Sequence, residues 1–411
     1  MSESAAQSKQ DFSQRIRALL LACVRRGASD LHLTPGLPPY LRIEGELTAL
    51  PEATLTASET RQLGEAVIAM QGPTARPLDE AIVAKGAIDG AVSASDGTRF
   101  RFNIFLRQNQ VALVLRRLED KFKPLSELGL PESLYRLCEL RDGLVIISGA
   151  TGSGKSTTIA TLIDRINASR ASHIITIEDP VEYIHKPIKS VINQRQIGID
   201  APSFNDALVS ALRQDPDVVL VGEIRDLDTI RTAISAAETG HLVFASLHAG
   251  DCAGSIERLV SVFPANEQDG IRRQLALTLR AIVSQHLLPS SLAEQENSEK
   301  SDGVPAVEGA VLVSSSAARP RRVVASEVLF VTPAIANLIA SAKSSQVYSS
   351  METGQSAGMQ TLEADLAKLW VRGAISEAVA VATARNPGQL RDRVALLRSR
   401  LNQTTAYGGV R

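Results

Sequence analysis

A glycine-rich segment, Gly149 to Thr157, constrains the fold of this chain more than any other part of the sequence. It reads G-A-T-G-S-G-K-S-T and fits the phosphate-binding pattern G-x-x-x-x-G-K-[ST]. The apolar run from Leu144 to Ile147 predicts a short buried strand before it, and apolar residues at helical spacing from Thr158 to Ile166 predict a helix after it. Because the pattern requires a strand–loop–helix context, we expect a nucleotide-binding loop rather than an ordinary glycine-rich turn.

The residue types of this loop suit a nucleoside triphosphate with its metal ion. Glycines let successive backbone N–H groups point at phosphate oxygens, and the following helix adds the partial positive charge of its N-terminus. Lys155 is predicted to reach the β- and γ-phosphates, and Ser156 to offer its hydroxyl to Mg²⁺. We therefore expect ATP and Mg²⁺ as cofactors, with these nucleotide-binding residues: Gly149, Thr151, Gly152, Ser153, Gly154, Lys155, Ser156 and Thr157.

The composition excludes several other classes of protein. The 44 basic and 45 acidic residues give a net charge of −1, which offers no bulk attraction to nucleic acid or to an anionic membrane. Three scattered cysteines form neither a disulfide framework nor a C-x-x-C zinc motif. No stretch approaches the ~18 consecutive apolar residues of a membrane span, and the N-terminus has no signal-peptide pattern. We expect a cytosolic protein.

Two patterns divide the 411 residues. The first 120 predict a small α+β domain, with a helix from about Phe12 to Arg26 and strands at Asp30–Leu33, at Tyr40–Ile43 and on both sides of Gln108–Gln110. Beyond residue 120, strand-like apolar runs alternate with helical segments, which predicts a parallel sheet covered on both faces. These runs are Leu144–Ser148, His173–Ile177, Val218–Val221 and His241–Leu247.

The domain boundaries follow from these patterns and from a change of composition. We predict an N-terminal domain at 1–120, an α/β ATPase core at 121–289, a flexible insert rich in Ser, Ala, Glu and Gly at 290–322, and a mainly helical end at 323–411. Helical periodicity is continuous from Pro333 to about Leu401.

Acidic residues follow two of the apolar runs. After Val218–Val221, Gly222 occupies the place where many phosphate-loop proteins carry an aspartate, and Glu223 follows it. Ligands of open α/β sheets bind at this carboxyl edge, so Glu223 is predicted to polarise the attacking water, to orient Mg²⁺, or both. Glu178 and Glu182, with Asp179 between them, form an acidic box that is predicted to hold the metal or its waters. The alternatives are a solvated acid and a plain loop turn.

One histidine and two arginines complete the candidate site. His248 lies at the carboxyl end of its strand, near the expected γ-phosphate, whereas His241 at the other end is interpreted as structural. The strand pair of the N-terminal domain carries several arginines, most of which are interpreted as a solvated face. Arg101 and Arg116 are the two predicted to stabilise charge on the transferred phosphate.

Together these motifs resemble the type II/type IV secretion ATPase superfamily, and within it the type IV pilus retraction ATPases (PilT-like). The resemblance covers nearly the whole chain. It is carried, besides the phosphate loop, by Ala28–Leu33 with Gly36–Pro39, the acidic box Ile177–Glu182, Ala211–Asp217 with Val221–Asp226, the histidine box Thr239–His248, and Gly358–Thr361.

The resemblance implies a PAS-like N-terminal domain, a RecA-like ATPase domain and a ring-shaped homo-hexamer that powers pilus retraction and twitching motility. It implies that Glu223 is the catalytic glutamate, that Glu178 and Glu182 belong to the metal and water shell, and that His248, Arg101 and Arg116 act at the phosphates. It also implies a cytoplasmic location at the inner membrane, an inner-membrane platform protein as partner and a second retraction ATPase as a further partner.

Several features distinguish the branches of this superfamily. The chain lacks the long N-terminal region and the four-cysteine zinc motif typical of extension and secretion members, which favours retraction. Ala336 stands where the retraction pattern has an arginine, and the 290–322 insert is longer than the family's turn. An accessory retraction ATPase (PilU-like) fits both departures. The alternatives are an extension or type II secretion ATPase, a regulatory subunit with weak turnover, and a nucleic-acid motor, which the neutral charge disfavours.

Overall fold

The computed structural model of this protein describes residues 2–43, 45–72, 77–118, 121–291 and 322–407. The chain divides into two compact units, Met1–Phe122 with Asn167–Gly222 and Lys123–Ile166 with Glu223–Arg411. The predicted insert lies almost wholly outside the described residues, since they omit 292–321. The domain boundaries expected from the sequence therefore stay a prediction.

The first unit contains a six-stranded antiparallel sheet. Numbered along the chain, its strands follow the order β3-β2-β1-β6-β5-β4. The elements of this part are α1 (Ser2–Arg25), β1 (Asp30–Leu33), β2 (Tyr40–Ile43), β3 (Glu46–Ala49), α2 (Ala57–Ala69), α3 (Leu78–Lys85), β4 (Ala87–Ser93), β5 (Arg99–Arg107) and β6 (Gln110–Arg117). The predicted strands β1, β2, β5 and β6 are confirmed, while the likeness to a PAS domain stays a prediction.

The alternation along β5 explains how this sheet forms a core. Phe100, Phe102 and Ile104 are fully buried, while Arg99 and Arg101 point to the opposite face. At the turn between β5 and β6, Gln108 and Asn109 have φ values of 51° and 59°, the left-handed pair that a tight two-residue hairpin requires. The hairpin thereby fixes the register that pairs Arg101 with Arg116.

Helix α2 begins with a reciprocal cap. The Thr56 side chain accepts the Glu59 N–H at 3.2 Å, and the Glu59 carboxylate accepts the Thr56 N–H at 2.7 Å. The Thr56 N–H, then Arg15 and the Thr56 hydroxyl, lower the pKa of Glu59 to about 2. Because the pKa is lowered in the folded protein, the ionised Glu59 stabilises the fold at pH values above the ordinary pKa of glutamate. This stabilisation is lost as the pH falls towards 2.

The first unit also contains three parallel strands in the order β10-β8-β9. They are β8 (His173–Glu178), β9 (Val191–Gln196) and β10 (Val218–Val221), with α5 (Phe204–Ala211) before β10. All four residues of β10 are buried, as expected of a parallel strand covered on both faces. The sequence predicted β8 and β10 but not the more polar β9.

The second unit holds four neighbouring strands in the order β13-β12-β7-β11. Strands β7 (Gly143–Gly149), β11 (Leu242–Leu247) and β12 (Leu279–Pro289) run parallel, and β13 (Arg322–Phe330) is antiparallel to β12. The helices are α4 (Lys155–Ser169), α6 (Leu227–Glu238), α7 (Cys252–Ser261) and α8 (Ala265–Thr278). The predicted parallel α/β class is confirmed, although β12 and β13 were not predicted.

Helices fill the chain after β13, as the periodicity from Pro333 predicted. They are α9 (Pro333–Ala340), α10 (Val347–Thr353), α11 (Leu362–Val371), α12 (Glu377–Thr383) and α13 (Pro387–Tyr407). Leu362 and Leu366 of α11 pack with Leu390 and Val394 of α13 in a separate apolar cluster. Within the described ranges, every helix is too short or too polar to cross a membrane.

We expect Thr56→Ala to lower the free energy of unfolding by about 1 kcal/mol, because it removes the side-chain cap of α2. Urea denaturation followed by circular dichroism measures the change. Thr54→Ala is the matched control, because Thr54 is exposed and precedes the cap. Equal midpoints for the two variants would contradict the stabilising role of the cap.

Candidate active site

The phosphate loop joins the end of β7 to the start of α4, as the sequence predicted. All seven residues of β7 are buried, so the strand anchors the N-terminal end of the loop in the core. Gly149, its last residue, has φ = 145°. A Cβ at this position would lie 2.5 Å from both the Gln285 main-chain oxygen and Ser153 Oγ. Only glycine therefore allows the strand to turn into the loop at this point.

The interior of the loop suits the binding of phosphate. Lys155 is buried, and its Nζ donates to the main-chain oxygens of Gly149 at 3.0 Å and Ala150 at 2.9 Å. The buried Ser153 Oγ has no hydrogen-bond partner among the residues that the structure describes. First-turn N–H groups of a helix have no partner within the helix, and they carry its partial positive charge. The residues present thus fit the phosphates of a nucleotide.

Gln285 of β12 braces this loop and was missed by sequence reasoning. Its Nε2 donates to Thr158 Oγ1 at 2.9 Å, which ties β12 to the first turn of α4. Gln285 is buried and its main-chain oxygen is the atom that Gly149 approaches. The available signal was a glutamine two positions after the apolar residues Ala281–Val283, because buried polar side chains are kept where they have a partner.

The second unit also brings Glu223 and His248 together. His248 Nε2 lies 3.6 Å from Glu223 Oε1, and Arg225 Nη1 lies 4.0 Å from Glu223 Oε2. Both side chains of the first pair are about one-third exposed, so water and substrate can reach them. Glu223 follows β10 and His248 follows β11, the carboxyl ends expected of ligand-binding residues in a parallel sheet.

His241, at the other end of β11, is structural as predicted. Its Nδ1 lies 3.0 Å from the Ala236 main-chain oxygen and 3.1 Å from Thr239 Oγ1. Both partners lie at the C-terminal end of α6, so the ring contacts a main-chain carbonyl and a side-chain hydroxyl where that helix ends.

A partly buried polar network supports the segment that follows His248, and sequence reasoning missed it. The His286 ring nitrogen Nε2 lies 3.1 Å from the Gly250 main-chain oxygen, and the Cys252 N–H donates to Glu327 Oε1 at 3.1 Å. Arg385 binds the Glu327 carboxylate directly and lies 3.6 Å from Asp251. Burial raises the pKa of Glu327, and Arg385 opposes that shift. The turn from β11 into α7 is therefore held by the C-terminal part of the chain.

The acidic box lies in the first unit, at the end of β8 and in the segment that follows it. The Glu178 carboxylate oxygen Oε1 accepts hydrogen bonds from Thr176 Oγ1 at 2.6 Å and from Gln194 Nε2 at 3.3 Å. Burial raises the pKa of Glu178 to about 7, although these hydrogen bonds lower it; nearby Glu182 raises it further. This carboxyl group thus titrates near neutral pH, within the range useful to a general base.

Both predicted arginines of the first unit contact carboxylates within that unit. Arg101 Nη1 lies 3.4 Å from Glu182 Oε1, so β5 and the acidic box meet there. Arg116 Nε donates to Asp30 Oδ1 at 2.8 Å, and Asp30 is buried. Their predicted action on phosphates stays a prediction. Arg99, which was not singled out, donates from Nε to the Val181 main-chain oxygen at 3.3 Å.

The predicted metal ligands are divided between the units. Ser156 and Glu223 belong to the second unit, and Glu178 and Glu182 to the first. Across the described parts of the chain, no cluster of three or more His, Cys, Asp or Glu side chains has the geometry of a metal site. The oxygen ligands named here are of the type that Mg²⁺ prefers, and their role stays a prediction.

Comparison with known families gives one match over most of the chain. Residues 6–378 match the family described as Type II/IV secretion system protein. This range includes the phosphate loop, the acidic box, Glu223 and His248, and the match confirms the superfamily that the motifs indicated.

Individual relatives agree with this match. The type IV pilus retraction ATPase PilT of Pseudomonas aeruginosa is 39% identical over 372 residues, which are 90% of this chain and 98% of that protein. The type IV pilus ATPase PilU of the same organism is 36% identical over 378 residues, 92% of this chain and 91% of that protein. A crystal structure of the pilus retraction motor PilT with bound ADP has a TM-score of 0.77 at 38% identity, covering 92% and 98% of the two chains.

We expect Arg385→Met to lower the free energy of unfolding by about 3 kcal/mol, because it leaves the buried Glu327 carboxylate without its cation. The double variant Glu327→Gln/Arg385→Met should recover part of the loss, since glutamine carries no charge. Urea denaturation measures both. Arg393→Met is the control, because its ion pair with Glu352 is partly exposed on both sides. No recovery in the double variant would refute the electrostatic explanation.

Proposed function

The chain belongs to the type II/IV secretion system protein family, and we propose on that premise that it hydrolyses ATP to power type IV pilus retraction and twitching motility. The observation that carries the proposal is the phosphate loop, with Lys155 buried against the carbonyls of Gly149 and Ala150. The similarity to retraction ATPases over nearly the whole chain supports the choice of retraction.

Each candidate site residue of the second unit has a distinct role in this proposal. Lys155 and the loop N–H groups bind the β- and γ-phosphates, and the Ser156 hydroxyl is a ligand of Mg²⁺. Bound Mg²⁺ would supply neutralisation of charge on the phosphate oxygens. Glu223 polarises the attacking water. His248, 3.6 Å from Glu223 Oε1, orients that carboxylate and senses the γ-phosphate.

The first unit supplies the remaining groups. Glu178 and Glu182 hold the waters around the metal, and Arg101 and Arg116 stabilise charge on the transferred phosphate. Both arginines contact carboxylates in this structure, so each must exchange that partner for phosphate. We propose that this exchange accompanies movement of the N-terminal domains against the ATPase domains of a homo-hexameric ring.

The proposed setting follows from the family. The ring would act at the cytoplasmic face of the inner membrane, against an inner-membrane platform protein of the pilus. A second retraction ATPase would be a further partner. Ala336, on α9, favours an accessory retraction ATPase with weak turnover as the second candidate, because the retraction pattern has an arginine there. An extension or type II secretion ATPase remains the other alternative.

We expect Lys155→Ala to abolish ATP turnover, because the loop loses the cation that binds the phosphates. The purified variant is assayed for phosphate release. In a strain lacking this gene, excess surface pili are expected, and the variant should not correct them whereas the wild-type chain should. Normal ATP turnover in Lys155→Ala would contradict the assignment of the nucleotide-binding site. Absent rather than excess pili in the deletion strain would indicate a role in pilus extension.

We expect Glu223→Gln to bind ATP with unchanged affinity and to stop hydrolysis, because the amide keeps the shape of the side chain but cannot polarise water. A fluorescent ATP analogue measures binding, and single-turnover assays measure hydrolysis. Asp228→Asn is the matched control, since Asp228 is an exposed acid five positions later. Hydrolysis at the wild-type rate would transfer the role of base to Glu178.

A further inference from the structure

Glu178 is the last residue of β8, and the rest of the acidic box lies in the segment between β8 and β9, which forms neither helix nor strand. A segment without main-chain ladder bonds depends on side chains from other elements for its conformation. Here the support comes from β9, where Gln194 and Gln196 lie two positions apart and so project from the same face of the strand.

Gln194 holds this segment at three points. Its Nε2 donates to Glu178 Oε1 at 3.3 Å and to the Tyr183 main-chain oxygen at 2.7 Å. Its Oε1 accepts the His185 N–H at 2.9 Å. One amide therefore joins the catalytic candidate at the end of β8 to main-chain groups five and seven residues later.

The register of the sheet explains why the contacts converge on Glu178. Thr176 of β8 is the direct neighbour of Gln194 in the parallel pair. Both side chains donate to Oε1 of Glu178, Thr176 at 2.6 Å and Gln194 at 3.3 Å. Two donors on one carboxylate oxygen fix the rotation of the group and hence the direction of Oε2.

Gln196 supports the same segment without touching the carboxylate. Its Oε1 accepts the Val181 N–H at 3.3 Å, and it is buried. Arg99 binds the other side of the same residue, the Val181 main-chain oxygen, at 3.3 Å. Gln196 is thus a brace of the main chain alone, which makes it a matched reference for Gln194.

We propose that Gln194 is a positioning residue that fixes the orientation of the Glu178 carboxylate, a role that rests on the ATPase function proposed for this chain. Gln194 does not touch the nucleotide in this proposal; it acts through Glu178. Glu182 and Arg99 are the charged groups that interact electrostatically with Glu178. The neutral amide of Gln194 donates to the carboxylate without adding a further charge beside them. A positioning residue of this kind affects the rate of hydrolysis more than the affinity for nucleotide.

Three variants separate the contacts. Gln194→Met removes donor and acceptor, and a cavity of about 240 Å³ beside the side chain leaves room for the sulfur. Gln194→Glu keeps the acceptor for the His185 N–H but loses the donor to Glu178 and to the Tyr183 main-chain oxygen. Gln196→Met removes the main-chain brace only. Each full-length variant is assayed for kcat and KM and for hydrogen exchange at the amides of Val181 and His185.

We expect Gln194→Met to lower kcat about 10-fold, with KM for ATP within about twofold of the wild-type value. Gln194→Glu should lower kcat comparably, yet leave exchange at His185 slow. Gln196→Met should speed exchange at Val181 and keep kcat within about twofold of the wild type. Wild-type kcat in Gln194→Met, or an equal loss in Gln196→Met, would overturn the proposal.

Two further arms distinguish this inference from the proposed function. If Lys155→Ala still turns over ATP, the proposed site is wrong. The rate of hydrogen exchange at the His185 amide is then the measurement that tests whether Gln194 holds the segment. If Glu178→Gln abolishes turnover, the double variant Glu178→Gln/Gln194→Met is compared with Glu178→Gln. The two should bind an ATP analogue with the same affinity, because both substitutions act on the side chain of residue 178. A further loss of affinity in the double variant would show that Gln194 acts elsewhere.

Discussion

The close approach of Gly149 to the Gln285 main-chain oxygen is the constraint on which the phosphate loop depends. A fully buried parallel strand must end there and reverse into a loop that leads directly to a helix N-terminus. The hydrogen bond from the Gln285 side chain to Thr158 then fixes the first turn of that helix. Strand β12 therefore sets both ends of the loop, and the position of Lys155 follows from it.

Two buried carboxylates of this protein are held by polar partners that include side chains from distant segments. Glu178 is bound by the neighbouring Thr176 and by the distant Gln194, and Glu327 by Cys252 and Arg385. Burial raises the pKa of both acids, which means that their charged forms are costly in the fold. Such groups stay ordered only while their partners stay in place, since a buried charge without a partner lowers the free energy of unfolding by several kcal/mol.

The sequence predicted strands with uninterrupted apolar runs and strands with regular alternation, and it missed β9 and β12, which mix apolar and polar residues without a regular period. β7, β8, β10 and β11 fall within one or two residues of their predicted bounds. β9 reads V-I-N-Q-R-Q, a pattern without a simple period, and its Gln194 and Gln196 bind the segment after β8. β12 includes Gln285 and His286, whose polar partners are Thr158 of α4 and Gly250. These functional contacts are what obscured the two strands.

The sequence by itself determined the phosphate loop, the residues of the acidic box, Glu223 and His248, and the family. Each of these is a local pattern, because a loop between a strand and a helix is specified by the residues within it. Tertiary structure decided which side chains support them. Gln194 meets Glu178 across 16 residues and Arg385 meets Glu327 across 58, at positions that depend on strand register and helix packing. No local period records such a pairing, because it arises only when separate elements have packed.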